Sequence, residues 1–174
     1  MPDQSLSPSG VDQGLQPLPA AVIAAAAYAI PYALSRSTSP SPDHPRVMFW
    51  YKRLRKPFFQ PPDLAFPLAW VGIESALAYA GYRLLRQAPS PRRNQALGLL
   101  AGNVVGIGAW SRLFFGSRKL PASTVAAGAL AVAAGAYVNA ARKVDQPSAA
   151  AGVPLLVWVG FATVLTAAIW RKNR

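Results

Sequence analysis

The densest chemistry in the chain lies in Phe49-Trp50-Tyr51-Lys52-Arg53-Leu54-Arg55-Lys56-Pro57-Phe58-Phe59-Gln60-Pro61-Pro62, followed by Phe66-Pro67 and Trp70. Cationic and aromatic side chains interleave there, and each proline fixes its φ near −65°, so the segment is stiff and two-faced. Two roles fit it. One is a belt in which Trp and Tyr sit at headgroup depth while Lys and Arg snorkel; the other is a lid laid across a set of helices. Two more indoles, Trp110 and Trp158, stand far apart in sequence. Indole faces offer large stacking areas, and flat apolar ligands bind in concave apolar pockets with a few fixed polar groups. The alternative for both is ordinary helix packing.

Other chemistries are excluded by what is missing. Cys is absent and His occurs once, at His44. Disulfides, iron–sulfur clusters, thiolate nucleophiles and multi-His or multi-Cys zinc sites therefore have no ligands. His44, beside Asp43, reads as a solvated loop residue rather than a haem ligand. No phosphate-binding Gly-rich loop or acid/base pair is visible, and neither a metal nor a required cofactor is expected.

The elements that position these residues follow from composition. Of 174 residues, 52% are hydrophobic and only 14% charged, against roughly 25% charged in an ordinary soluble domain. Such a chain cannot clothe an aqueous surface. Residues 1–17 hold no Lys or Arg, lack the basic opening of a secretory signal, and read as a disordered tail. Five apolar runs follow, at Leu18–Leu34, Leu64–Leu85, Ala96–Phe115, Pro121–Ala141 and Ala149–Trp170. The first is at the short end of what spans a bilayer and the others are near the usual 20 or so residues. Backbone in lipid must satisfy its own hydrogen bonds, and the alternating pattern of barrel strands is absent. The expectation is an all-α integral membrane protein, a five-helix transmembrane bundle over 18–174, with 36–63 as the lid loop.

Net charge is +12. In a soluble protein this would suggest nucleic acid, but here the basic residues flank apolar runs, so anionic lipid is the expected partner and nucleic acid is not. The 36–63 loop, the third loop and the C-terminus carry twice as many Lys and Arg as the opposite side. By the positive-inside rule the lid loop and the C-terminus face the cytoplasm.

Within the runs, Glu74 is costly at mid-helix depth, so it faces the protein interior, a cavity or a partner. Its readings are an acid satisfied inside the bundle, for instance by Asn103, or a ligand contact. Arg112, near a helix end, either snorkels or meets an anionic ligand. Gly98-x-x-x-Gly102-x-x-x-Gly106 lines small residues along one stripe, which suits either a homodimer contact or tight packing within the chain.

Three blocks resemble one family. Trp50-Tyr51, Leu54, Lys56-Pro57, Pro61-Pro62, Phe66 and Trp70 fit WY-x-x-L-x-KP-x-x-x-PP-x-x-x-F-x-x-x-W. Trp110-x-x-x-Phe114-Phe115-Gly116 is similar to a third-helix W-x-x-x-FFG, and Pro154, Leu156, Trp158 and Phe161 with Trp170-Arg171-x-Asn173 resemble a fifth-helix signature. The pattern is that of the translocator protein family (TspO/MBR, formerly the peripheral benzodiazepine receptors), over roughly residues 18–174. The resemblance implies a five-helix membrane protein, often dimeric through its third helix, with a pocket between the helices covered by the first loop. Family members bind porphyrins such as protoporphyrin IX, sterols in animal forms, and benzodiazepine-type ligands; some bacterial members degrade protoporphyrin in light. By position, Trp110 and Trp158 would line the pocket, Leu54, Pro57 and Pro61 would shape the lid, and Phe58 and Phe59 would sit over the ligand. Trp70, Glu74, Asn103 and Phe161 complete the expected ligand-binding set.

The sequence departs from that pattern in informative places. Phe59 replaces a family Trp whose oxidisable indole is thought to take part in porphyrin degradation, which weakens an enzymatic reading. Ile107 and Gly108 replace an Asn and a Trp, Arg112 a Pro, Leu155 a Tyr and Thr166 an Asn, while Glu74 stands where a Tyr is common. Residues 164–171 contain no Tyr, so the animal sterol motif is incomplete. The resemblance therefore implies a receptor or carrier of porphyrin-type ligands. Its rivals are a light- and oxygen-dependent porphyrin-degrading enzyme using Trp110 and Trp158, and a ligand-responsive stress regulator or scaffold.

Overall fold

The computed structural model describes residues 13–35, 38, 40 and 43–174, and helices are the only regular elements among them. They are α1 (Pro17–Ser35), α2 (Pro45–Arg53), α3 (Ala65–Arg86), α4 (Pro91–Ser111), α5 (Leu120–Ala141) and α6 (Gln146–Lys172). A π-helical turn, Arg112–Gly116, extends α4; in it the Ser117 N–H reaches back five residues to the Arg112 carbonyl.

Starts and stops are encoded locally. Ser90 caps α4 by accepting from the Arg93 N–H, and Asp145 caps α6 by accepting from the Ser148 N–H, each followed by a proline in the first turn. The Ser90-Pro91 cap moves the start of α4 five residues ahead of the apolar run beginning at Ala96. Arg93, buried although charged, donates from Nε to the Leu84 carbonyl and from Nη2 to the Leu85 carbonyl. It thereby satisfies the exposed end of α3.

Helical spacing sorts inside from outside. Along α5 the buried positions Leu120, Ser123, Ala127, Leu130, Ala134, Tyr137 and Ala141 recur at alternating steps of three and four, the spacing of a coiled-coil seam. Val125 and Val132 point outward. Ser123, Ala127, Ala134 and Ala141 within that seam let neighbouring helices approach closely, which matters where lipid removes the hydrophobic drive between helices. Contacts close into a ring: α1 meets α3 and α4, α3 meets α6, α6 meets α5 most extensively, and α5 meets α4.

Four helical stretches, Pro17–Ser35, Pro91–Gly116, Leu120–Ala141 and Gln146–Lys172, are long and apolar enough to cross a membrane. The protein is an integral membrane helical bundle. The expected fifth span, α3, matches them in length, but it carries Glu74, Arg83 and Arg86 and falls short in hydropathy. The lid loop is also more structured than expected, because α2 folds within it.

The expected disordered tail, residues 1–17, is described only from residue 13 onward. Residues 1–12 lie outside the described residues. Residues 13–16, however, dock on the end of α3, where the Leu15 N–H donates to the Leu85 carbonyl (2.8 Å) and Arg86 donates to the Leu15 carbonyl. The last turn of a helix leaves carbonyls unbonded, and this segment supplies the donor.

Two latches hold opposite ends of the ring. At the α3 C-terminal end, Arg83 grips Asp145 through Nε (3.2 Å) and Nη2 (2.8 Å), and Gln87 Nε2 adds a third bond. Beside it the Tyr137 hydroxyl bonds Ser148, whose Oγ donates to the Ala80 carbonyl. Three helices are tied there through one serine. At the other end α2 packs on the π turn and the lid meets the end of α6 at Asn173.

Candidate functional site

Residues 54–70 and the facing turns of α6 build the site. The Gln60 N–H donates to the Pro57 carbonyl (3.1 Å), so Pro57-Phe58-Phe59-Gln60 is a β-turn with the two phenylalanines at its corners. Adjacent corner residues diverge, and the rings stand at 89° to one another. Only one can face the bundle. Phe59 does so, meeting Phe161 with centroids 6.4 Å apart, whereas Phe58 is 99% exposed. In this arrangement Phe59 of the expected pair packs onto the bundle and Phe58 stands outside it.

From Phe161 the aromatic contacts run on to Trp158 at 5.8 Å, and from Trp158 to Phe66 at 5.8 Å and Trp70 at 6.3 Å, the last two edge to face. Phe66 and Trp70 lie one turn apart on α3 and so share a face. Lid, α6 and α3 are thus joined by one continuous aromatic surface. Pro57 is buried beneath the turn, Pro61 half-buried behind it, and Gln60 holds Oε1 buried without a hydrogen-bond partner.

Trp110 belongs elsewhere. Its ring stacks on Phe114 (5.1 Å, 15°) and its indole N–H donates to the Ser123 carbonyl (2.9 Å). The π turn rotates Phe114 inward, to 2% exposure, where Trp50 and Tyr51 of α2 meet it edge to face and Tyr51 also meets Phe115. Leu54, at the end of α2, packs into the same cluster. Burial, reinforced by Asp63, pushes the Tyr51 hydroxyl up to about 12, so it stays neutral. Lys56 Nζ sits 4.0 Å over its ring.

The lid is fastened at Asn173, a residue of the fifth-helix signature that was not singled out as a site residue. Its Oδ1 accepts from the Arg55 N–H (3.0 Å) and its Nδ2 donates to the Arg55 carbonyl (2.9 Å) and to the Ile169 carbonyl (2.7 Å). One amide side chain thus pairs with the lid backbone as a neighbouring strand would. The signal in sequence was its place in W-R-x-N, but nothing local says what it holds. Asn173→Ala removes both clip bonds, each worth about 1 kcal/mol net. Amide exchange at Arg55 and across the 54–62 turn is expected to accelerate roughly tenfold or more, with exchange in α5 unchanged; mass-spectrometric hydrogen exchange reads both.

Glu74 and Asn103 do not join the aromatic surface. Asn103 is fully buried, donates from Nδ2 to the Leu99 carbonyl of its own helix (2.8 Å), and leaves Oδ1 without a partner. Glu74 lines a lateral cavity of about 320 Å³ between α1, α3 and α4. The glycine stripe also divides. A side chain at Gly106 would press on Leu130 of α5, so this glycine serves packing within the chain, while Gly98 and Gly102 face open space. Arg112 is exposed at the start of the π turn.

Comparisons with known proteins agree with this layout. The TspO/MBR family matches residues 20–171. The chain is 32% identical to a protein of Ovis aries named translocator protein, over 72% of this chain and 75% of that one. It is 30% identical to the translocator protein of Homo sapiens (75% and 78%) and 28% identical to a tryptophan-rich sensory protein of Cereibacter sphaeroides (71% and 77%).

Proposed function

Because the chain belongs to the TspO/MBR family, we propose that it is a membrane receptor or carrier that takes a flat, apolar, porphyrin-type ligand beneath the 36–63 loop. The observation that carries this is the aromatic surface running from Phe59 through Phe161 and Trp158 to Phe66 and Trp70. In the closed arrangement these rings satisfy one another. When the lid lifts at the Asn173 clip, the same ring faces become available to a planar macrocycle, and Gln60 Oε1 supplies an acceptor for one of its N–H groups. The names translocator and sensory protein borne by relatives fit either carriage or sensing of such a ligand.

The finer architecture belongs to the same reading. α3 serves as the fifth span, since α1 and α6 flank it in the ring and its arginines lie at one end. The lid and C-terminus share the cytoplasmic side, where basic residues meet anionic lipid. Gly98 and Gly102 leave a flat outer face on α4 for a second copy. No resident cofactor is required, because the ligand is cargo or signal.

The test is a titration of the detergent-purified protein with protoporphyrin IX in the dark, followed by porphyrin fluorescence polarisation. Trp158→Ala removes the ring that touches three others, and affinity is expected to fall about tenfold, the scale of one aromatic contact plus its buried area. Trp110→Phe keeps the stack on Phe114 and is expected to leave affinity near wild type. Equal affinity in wild type and Trp158→Ala would sink the proposal.

A further inference from the structure

Where α5 begins and α6 ends, a shallow groove of about 660 Å³ gathers positive charge. Arg118 and Lys119 line it from the turn before α5, and Trp170, Asn173 and Arg174 line it from the end of α6; among the described residues, none that lines it is acidic. Two apolar stretches long enough to cross a membrane, Leu120–Ala141 and Gln146–Lys172, have ends here, so the groove lies at the depth of lipid headgroups.

The two arginines are oriented by aromatic rings. Arg118 lies over the Trp50 ring, with Cζ 5.5 Å from its centroid, and Arg174 lies over the Trp170 ring at 5.1 Å. A guanidinium laid on an indole face keeps its edge donors for a two-pronged bond to phosphate oxygens. The backbone adds to this. Arg118 has φ 56°, the one positive φ at a non-glycine residue among the described residues, and it follows Ser117 in the right-handed helical region (φ −83°, ψ −16°). A right-handed residue followed by a left-handed one turns successive N–H groups to one side and makes an anion-binding concavity. The first turn of α5, which no side chain caps, borders the same groove with the positive end of its dipole.

We propose that this groove is a dedicated site for the phosphate of an anionic phospholipid, gripped by Arg118, Lys119 and Arg174, and that the bound lipid holds the lid shut. Val125, one turn further along α5 and 74% exposed, gives an acyl chain an apolar bed that a free phosphate has no use for. The effect on the lid follows from what braces the site. Trp50, under Arg118, belongs to α2 within the lid loop, and Asn173 lines the groove while it clips the Arg55 backbone. A phosphate that binds best to the braced arrangement favours the fastened lid as much as the fastened lid favours the phosphate. This coupling concerns the clip alone, whatever the lid covers.

The test counts phosphatidylglycerol retained by the full chain on release from nanodiscs of mixed phosphatidylcholine and phosphatidylglycerol, read by native mass spectrometry. Arg118→Gln combined with Arg174→Gln is expected to lower retention at least about tenfold, the scale of one lost charge-assisted hydrogen bond. Arg142→Gln combined with Lys143→Gln removes the same charge from the opposite end of the bundle and is expected to leave retention unchanged. Ala122→Glu places a carboxylate at an exposed position of the groove wall, in a first helical turn where the dipole favours it. Retention is therefore expected to fall while the unfolding midpoint does not. In the wild type, amide exchange at Arg55 and across 54–62 is expected to be slower in mixed nanodiscs than in pure phosphatidylcholine, and the arginine double variant is expected to lose that difference. Equal loss of retention in the two double variants would reveal general charge attraction and overturn the site. Displacement of the lipid by millimolar inorganic phosphate would assign the groove to a free anion and overturn the lipid, and lid exchange indifferent to phosphatidylglycerol would overturn the coupling. None of these readouts involves protoporphyrin, so the lid-site reading stands or falls separately.

Discussion

Asp145→Ala is expected to destabilise the folded bundle by roughly 3 kcal/mol, combining a broken, largely buried charge pair with a lost helix cap. The carboxylate accepts from Arg83 Nε and Nη2, Gln87 Nε2 and the Ser148 N–H, so alanine strands donors on two helices. The Arg83 partner is part-exposed (36%, against 5% for Asp145), which keeps the expected cost at the lower end of the range for buried pairs. The Arg83 guanidinium, with help from the Ser148 N–H and against the cost of burial, holds the Asp145 carboxyl below the ordinary carboxylate range. The folded state therefore binds this proton less readily than the unfolded chain does. The stabilisation is fully present above the unfolded carboxylate value of about 3.9 and is lost as pH falls through the lower folded value. Thermal unfolding in detergent should show the largest gap between wild type and Asp145→Asn at neutral pH and a shrinking gap below about pH 4. A gap that is constant with pH would mean that the charge on Asp145 contributes nothing.

Gly152→Ala is expected to cost about 3 kcal/mol, at the upper end for overpacking a close-packed site. A methyl group there would come within 2.7 Å of Tyr137 Cδ1 and nearer still to Cε1, with Val138 Cγ2 at 3.2 Å. The ring cannot swing away cheaply, because Tyr137 is fully buried and its hydroxyl is held by Ser148. Removing the ring should relieve the clash. Tyr137→Leu is destabilising alone, yet the double variant is expected to lose less than the sum of the two single losses, since the residues are in contact. Strict additivity in unfolding midpoints would show that Gly152 is needed for some other reason.

Much of this was legible in the sequence, and the boundary is physical. Apolar runs announce their helices because lipid tolerates little else, and the spaced aromatic and proline blocks single out Phe59, Trp70, Trp158 and Phe161, whose rings the structure brings into one chain of contacts. What spacing leaves open is rotation about each helix axis and the identity of the neighbour on each side. Trp110 and Trp158 look equivalent as residues, but Trp110 spends its N–H on Ser123 while Trp158 faces Phe66 and Trp70 of α3. Glu74 lies one turn after Trp70 and still lines the α1–α4 side. Gly98 and Gly106 belong to one stripe and face different surroundings. The Asn173 clip was invisible for a further reason: its partner is backbone 118 residues away, and backbone carries no residue type to read.

The ring order has a bearing on how the protein is made. As the chain is synthesised, α1 first meets α3 and acquires its second neighbour only with α4, so the ring stays open until α6 settles between α3 and α5. Asp145 precedes α6 and Asn173 follows it, so both end latches arrive with that final helix. Until then Arg83 lacks Asp145 and the Arg55 end of the lid lacks its clip, while α2 can pack only on the π turn. A nascent chain stalled before α6 would therefore present Arg83 and Gln87 without their carboxylate and a lid without its clip, both at once.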